Sequence, residues 1–200
     1  MLIVKCEQYS DQYWEEKIGK PSASNGSKII TTEGKPSKQK EGYLFTLAAE
    51  RITKTRDETF KSSAMEVGSE REEMSRQAFE YEYDVKVEQV GLVYKDKEKD
   101  CLCSPDGIVK GNEGLELKNV LPKTQVKYLL KNKLPTEYFV QIQFSLYVTG
   151  FKIWHFYSYV PKMRPLHIVV ERDEEFIKKL GKELKLFNKE LEAITAKIRG

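Results

Sequence analysis

Cysteine is scarce in this 200-residue sequence: Cys6, Cys101 and Cys103 are the only three, and no two are spaced Cys-x-x-Cys. An odd number without that spacing gives no disulfide framework and no legible zinc site, and the two histidines, His155 and His167, add too few ligands to make one. An excess of one charge is also missing. Lys and Arg total 34 against 31 for Asp and Glu, so affinity for nucleic acid must come from local placement and not from net charge. No apolar run approaches a membrane span, and Met1 to Val4 is too short for a signal peptide core. The expectation is a soluble protein of the reducing cytoplasm. With 40% hydrophobic residues the chain can build one sizeable core, so a single domain is expected over 1–200, its core at about 12–172 and a C-terminal helix at 173–198.

One stretch is chemically unusual. Ser104-Pro105-Asp106-Gly107 is followed, after the turn-forming Lys110-Gly111-Asn112-Glu113, by Leu115-Glu116-Leu117-Lys118. Turn chemistry between two apolar runs predicts a β-hairpin over 105–118. Side chains alternate across a strand, so Leu115 and Leu117 can face a core while Glu116 and Lys118 face a cleft. Asp106 falls opposite either Glu116 or Lys118, and both registers leave the three charged groups on one face. A bare Glu-x-Lys is usually a surface salt bridge. Two carboxylates held this close, however, repel unless a cation sits between them, and hard oxygen ligands suit Mg²⁺ or Mn²⁺. Lys118 is then the nearby group able to steady a developing negative charge.

The rest of the chain reads coarsely. Residues 9–30 pass from Tyr13-Trp14 into Pro21-Ser-Ala-Ser-Asn25, a helix start able to cap its own amides or bind phosphate. Residues 31–42 read as a mobile polar loop, and 43–56 and 64–82 as helices. Strands are expected at Val85–Val87, Val90–Tyr94 and Cys101–Cys103, joining 113–120 in a mainly antiparallel sheet with the site on its edge. Pro122 to Pro135 brackets a helix on which Lys123, Lys127 and Lys131 line one face, either solvated or tracking a phosphate backbone. Over 137–148 the apolar residues alternate as in a strand, although Gln141, Phe144, Ser145 and Val148 also share a helical face. His155 and His167 are expected to pack within the strands at 152–160 and 166–171, and Asp173 to cap the last helix.

Asp106 followed by Glu116-x-Lys118 resembles the PD-(D/E)xK nuclease motif, and Cys-Ser-Pro-Asp-Gly with Gly-Leu-Glu-Leu-Lys resembles the lambda exonuclease, YqaJ-type viral recombinase branch of it. Trp14 to Ser24, Gly68-Ser-Glu-Arg-Glu72, Gln141-Ile-Gln143 and Val169 to Asp173 are similar to further segments of that family, in the same order, over roughly residues 12–190. The resemblance implies an α/β (α+β) fold with a restriction-endonuclease-like core, a central mixed, mainly antiparallel sheet flanked by helices. It implies a 5′ to 3′ exonuclease on double-stranded DNA, a ring-shaped homotrimer, and a single-strand annealing protein as partner. It selects Glu72 as a third acid and the Leu117 carbonyl as a further ligand for one or two Mg²⁺ ions, and it favours a helix that turns Gln141 toward the site. Lys17, Ser24 and Ser104 would contact DNA phosphate. The family's usual arginine is replaced by Lys17 here, which keeps the charge and loses the bidentate grip.

Overall fold

The structure is a computed structural model describing residues 1–55 and 63–200, and the side chains of 63–70 lie outside the described set. Met65, Gly68 and Glu70 therefore receive no side-chain account, and the expected end of the second helix at residue 56 falls outside as well. The chain opens with strand β1 (Leu2–Val4) and helix α1 (Asp11–Lys17), followed by a 3₁₀ turn at Ala23–Lys28. Helices α2 (Lys40–Thr53) and α3 (Ser63–Tyr83) come next, then strands β2 (Val87–Glu88), β3 (Leu92–Tyr94), β4 (Leu102–Cys103), β5 (Gly107–Val109) and β6 (Glu113–Lys118). Helices α4 (Pro122–Lys131) and α5 (Thr136–Thr149), strands β7 (Ile153–Ser158) and β8 (Leu166–Glu171), and helix α6 (Glu174–Arg199) complete it. This is the mixed α/β fold, with mainly antiparallel sheets flanked by helices, that the sequence implied.

The strands form two sheets. One is three-stranded in the order β1-β3-β4, the other five-stranded in the order β2-β5-β6-β7-β8. The hairpin of β5 and β6 lies in the second sheet, and β6 is its central strand, not an edge. Its other neighbour, β7, runs parallel to it. Parallel neighbours need a crossover, and α4 with α5 supplies it. The expectation of one sheet with the site at its edge is thus corrected: the strand expected at 152–160 is β7, but its parallel pairing with β6, 35 residues earlier in sequence, is not carried by any local pattern.

Both faces of the five-stranded sheet are covered. Leu115, Leu117, Val109 and Tyr157 pack against Phe79 of α3. Ile108, Trp154 and Phe156 join the main core with α5 and α6. Gly114 lies opposite Trp154 in the parallel ladder, and a Cβ there would stand 2.2 Å from the indole. Because Trp154 is fully buried and cannot yield, Gly114→Ala is expected to cost about 1–3 kcal/mol, seen as a lower urea midpoint at unchanged m.

Helix α5 resolves the ambiguous stretch. It is buried on nearly every side, through Val140, Ile142, Gln143, Phe144, Ser145, Leu146, Val148 and Thr149. A helix apolar all round has no stripe to read, so the alternation there carried no strand information. Gly150 closes it with φ of 76°. Asp173 caps α6 by accepting from the Phe176 N–H at 2.9 Å, and Ile177, Leu180, Leu184, Phe187 and Leu191 are buried, with Phe187 against Tyr43 of α2.

Two local expectations are corrected. Residues 31–42 form a tied turn, not a mobile loop: Ile30 bridges Pro36, the Thr31 N–H donates to the Lys35 carbonyl at 2.8 Å, and Lys40 already starts α2. Ser22 precedes the 3₁₀ turn without capping it, since its hydroxyl is engaged with Ser24 and Asn25.

Candidate active site

Strand β6 positions the charged groups. Its pairing sets Gly107 across from Leu115, and that register carried one residue further sets Asp106 across from Glu116, one of the two arrangements the sequence allowed. The Asp106 N–H donates to the Leu115 carbonyl at 3.1 Å, and its Oδ2 accepts the Leu117 N–H at 2.7 Å. In a strand the N–H and C=O of one residue point to the same side, so the Leu117 carbonyl also faces the Asp106 side. The Tyr159 N–H donating to the Lys118 carbonyl agrees, because it fixes the neighbouring residue toward β7.

Glu116 is 2% exposed, an unusual place for a carboxylate. Its Oε1 accepts from the Lys118 ammonium and from Gln141 Nε2, the latter at 2.6 Å. The Lys118 ammonium also lies 5.3 Å from the ring centroid of Tyr138 on α5. Helix α5 thus covers the charged face of β6 and delivers Gln141 to it. Gln143, two residues on, is structural: it donates to the Glu171 carbonyl and accepts from the Asp173 N–H.

Glu72 comes from α3, which is docked at the end of β6 by a hydrogen bond between Ser75 and Asn119. Arg76, one turn further and 5% exposed, donates to Glu72 at 3.1 Å and also holds Glu73. Sequence reasoning passed over Arg76, although its position four residues after Glu72 is a recognisable helical ion-pair spacing.

The electrostatics show a shortage of positive charge. Burial and then the Glu116 charge push the Asp106 pKa well above the ordinary carboxylate range. Burial likewise raises Glu72; Arg76 and Lys118 hold it down in part, and Glu116 adds to the rise. Lys118 is pulled down by burial, yet Glu116 and Asp106 outweigh this and its pKa is raised. Asp106 bonds through Oδ2 and Glu116 through Oε1, so each acid keeps its second oxygen outside these bonds. Among the described residues no three His, Cys, Asp or Glu side chains stand at metal-ligand spacing, with Glu116 turned to Lys118 and Gln141 and Glu72 to Arg76. Even so, a group of acids of which Asp106 and Glu72 resist ionisation, with a backbone carbonyl on the same side, makes an oxygen set suited to a hard divalent cation.

The other sequence-nominated residues are spread around this centre. Lys17 ends α1, its ammonium 2.9 Å from the Tyr13 hydroxyl and 5.4 Å from the Trp14 ring centroid. Ser24 is exposed on the 3₁₀ turn. The Ser104 hydroxyl donates to the Gly91 carbonyl at 2.8 Å, bracing the turn that leads into Asp106. Lys123, Lys127 and Lys131 are exposed on α4. His155 and His167 lie on the opposite face of the sheet, 2.9 Å apart through ring nitrogens, with His155 bonded to Glu113.

The model of the YqaJ-like viral recombinase domain matches residues 12–152. The chain belongs to that family. Glu72, Arg76, Asp106, Glu116, Lys118 and Gln141 all fall inside the matched YqaJ-like segment. Among solved structures, this YqaJ-like chain is similar to LHK-Exo in complex with dAMP, with 25% identity and a TM-score of 0.85 over 95% of this chain and 96% of that one. A second structure describes the same protein as an alkaline exonuclease from Laribacter hongkongensis, at 25% identity and a TM-score of 0.84 over the same shares. A phage related exonuclease from Haemophilus somnus 129PT shares the fold at 12% identity, with a TM-score of 0.67 over 90% and 96% of the two chains. No curated protein matches the sequence.

Outside the reacting groups, Gln141 offers the sharpest test of how the YqaJ-like centre is held. Gln141→Ala removes one of the two donors on Glu116 and, on the nuclease function proposed below, is expected to lower kcat about 10- to 100-fold, the usual effect of losing a partner that orients a ligand. Steady-state kinetics on linear duplex would show it, with the thermal midpoint little changed.

Proposed function

We propose that the chain is a metal-dependent deoxyribonuclease that degrades double-stranded DNA from its ends, 5′ to 3′, in phage-type recombination. The observation that carries this is the meeting of Asp106, Glu116, Lys118 and Gln141 on one covered face of a central strand. The alkaline exonuclease character of the Laribacter protein, alike over nearly the whole chain, and its binding of a deoxynucleotide support the same reading.

Asp106, Glu116, Glu72 and the Leu117 carbonyl would hold one or two Mg²⁺ ions, with Mn²⁺ served by the same donors. A cation held there supplies a water of lowered pKa and neutralises charge on the scissile phosphate. The Lys118 ammonium, held against Glu116, assists the attacking water and contributes positive charge as charge builds on the phosphate. Gln141 holds Glu116 and orients the attacking water. Lys17 and Ser24 receive the 5′ phosphate, and Ser104 keeps the turn before Asp106 in place. Lys123, Lys127 and Lys131 lie along the helix that follows β6 and contact the backbone.

The family likeness extends the proposal to a single nuclease domain over 1–200, assembled as a homotrimer and acting beside a single-strand annealing protein in the cytoplasm of a bacterial or phage-infected host cell. Among the described residues no helix is long and apolar enough to cross a membrane.

The test compares 5′-labelled linear duplex with covalently closed circular DNA in Mg²⁺, with a chelator control. The expected result is immediate release of labelled mononucleotide from the linear substrate and an intact circle. Long labelled fragments or nicked circles would point to an internal cutter of the same fold, and no Mg²⁺-dependent product at all to a DNA-binding scaffold.

A further inference from the structure

Tyr9 is strained beside the candidate site, and its neighbours hold it there. Its φ is 68°, the left-handed region that bulky residues rarely adopt. The Ser10 N–H and hydroxyl both donate to the Glu7 carbonyl, at 3.3 and 2.7 Å. Gln8 Nε2 donates to the carbonyls of Val90 and Pro105, at 3.1 and 2.9 Å, and so ties this turn to the residue before Asp106. Strain of this kind gathers at functional sites, where the surrounding structure enforces it.

Burial does not account for the strain, since Tyr9 is 53% exposed whereas Tyr13 beside it is 2% exposed. The Tyr9 ring centroid lies 5.6 Å from that of Tyr13 and 5.9 Å from that of Trp14, while the Lys17 ammonium lies over the Tyr13 ring at 5.0 Å. An aromatic group backed by two other rings, one of them under a lysine ammonium, on a turn tied to the residue before Asp106, offers the kind of face on which a nucleobase stacks. Partial burial, Tyr13, Glu72 and Asp106 push the Tyr9 phenol up to about 12, so the ring stays neutral at alkaline pH.

We infer that the Tyr9 ring stacks on the base of the nucleotide whose phosphate enters the Asp106–Glu116 site, making Tyr9 a residue that positions substrate. This rests on the nuclease reading. Its test uses duplex ends carrying 2-aminopurine at the terminal position, at saturating protein in chelator, where no cleavage intervenes. Wild type and Tyr9→Phe are expected to quench the fluorescence, and Tyr9→Gly, which relaxes the backbone while removing the ring, to leave it bright. In Mg²⁺ the glycine variant should show a KM raised about 10- to 100-fold, with kcat within about 3-fold and a thermal midpoint equal to or above wild type.

Equal quenching and equal KM for Tyr9→Gly and wild type would overturn the assignment, as would an absence of quenching in wild type. If wild type binds ends without cleaving them, the nuclease reading fails, and the difference in quenching still decides the role of Tyr9.

Discussion

Asp106→Asn is expected to lower the rate of linear duplex degradation by at least about 1,000-fold, equivalent to about 4 kcal/mol of transition-state stabilisation, while the folded chain survives. Asn keeps the side-chain oxygen that accepts the Leu117 N–H, so the turn before β5 retains its anchor. What it loses is the carboxylate charge, and with it one of the proposed ligands for the cation. Lys118→Ala should fall as steeply for another reason, since it removes the ammonium that stands against Glu116 and that, in the proposed mechanism, faces the phosphate. The two variants differ in stability. Asn at 106 removes an acid whose charged form is disfavoured by burial and by Glu116, and should raise the metal-free midpoint at pH 8. Ala at 118 leaves the buried Glu116 charge without its cationic partner and should lower it. Circular dichroism melts beside the rate measurements separate loss of chemistry from loss of fold.

Removing divalent metal is the second large expected effect. Asp106 and Glu72 have folded pKa values raised above those of the unfolded chain, so the stability they contribute is fully present below the ordinary carboxylate range and is lost as pH rises through the raised values. The chelated protein should therefore melt at lower temperature at pH 8 than at pH 5 through these two groups. A cation relieves that repulsion, and more so at the higher pH, where the acids are ionised to a greater extent. Mg²⁺ at about 100 times its Kd should stabilise by about 2.7 kcal/mol. For a 200-residue chain that is a rise of about 5–10 °C in thermal midpoint. In Asp106→Asn the metal-induced rise should shrink to a small residue. An equal rise at pH 5 and pH 8, or one retained in the variant, would place the ion elsewhere.

The sequence carried the centre of the site better than its surroundings. Glu116 and Lys118 were legible because strand periodicity is local: two residues apart on one strand must share a face, and the turn at 110–113 brings Asp106 back to it. Cover over that face was not legible, because it depends on β7 pairing in parallel with β6 and on α5 lying across both. Gln141 shows the difference. Its place on a helix facing Glu116 follows from family likeness against an alternating pattern, and burial of α5 on nearly every side explains why that pattern carried no strand information. β1 and α1 are too short, at three and seven residues, for any period to emerge. Tyr9 lay hidden for a different reason, since a left-handed tyrosine leaves no trace in the order of amino acids. Arg76 was within reach of helical spacing, and only the position of Glu72 gave that spacing a meaning.

The most direct test of the central claim is anomalous diffraction from crystals soaked in Mn²⁺. A peak between the Asp106 and Glu116 carboxylates, absent from Asp106→Asn crystals, is the predicted result. A density map with no peak there, from protein that still degrades linear duplex in Mn²⁺, would contradict the account.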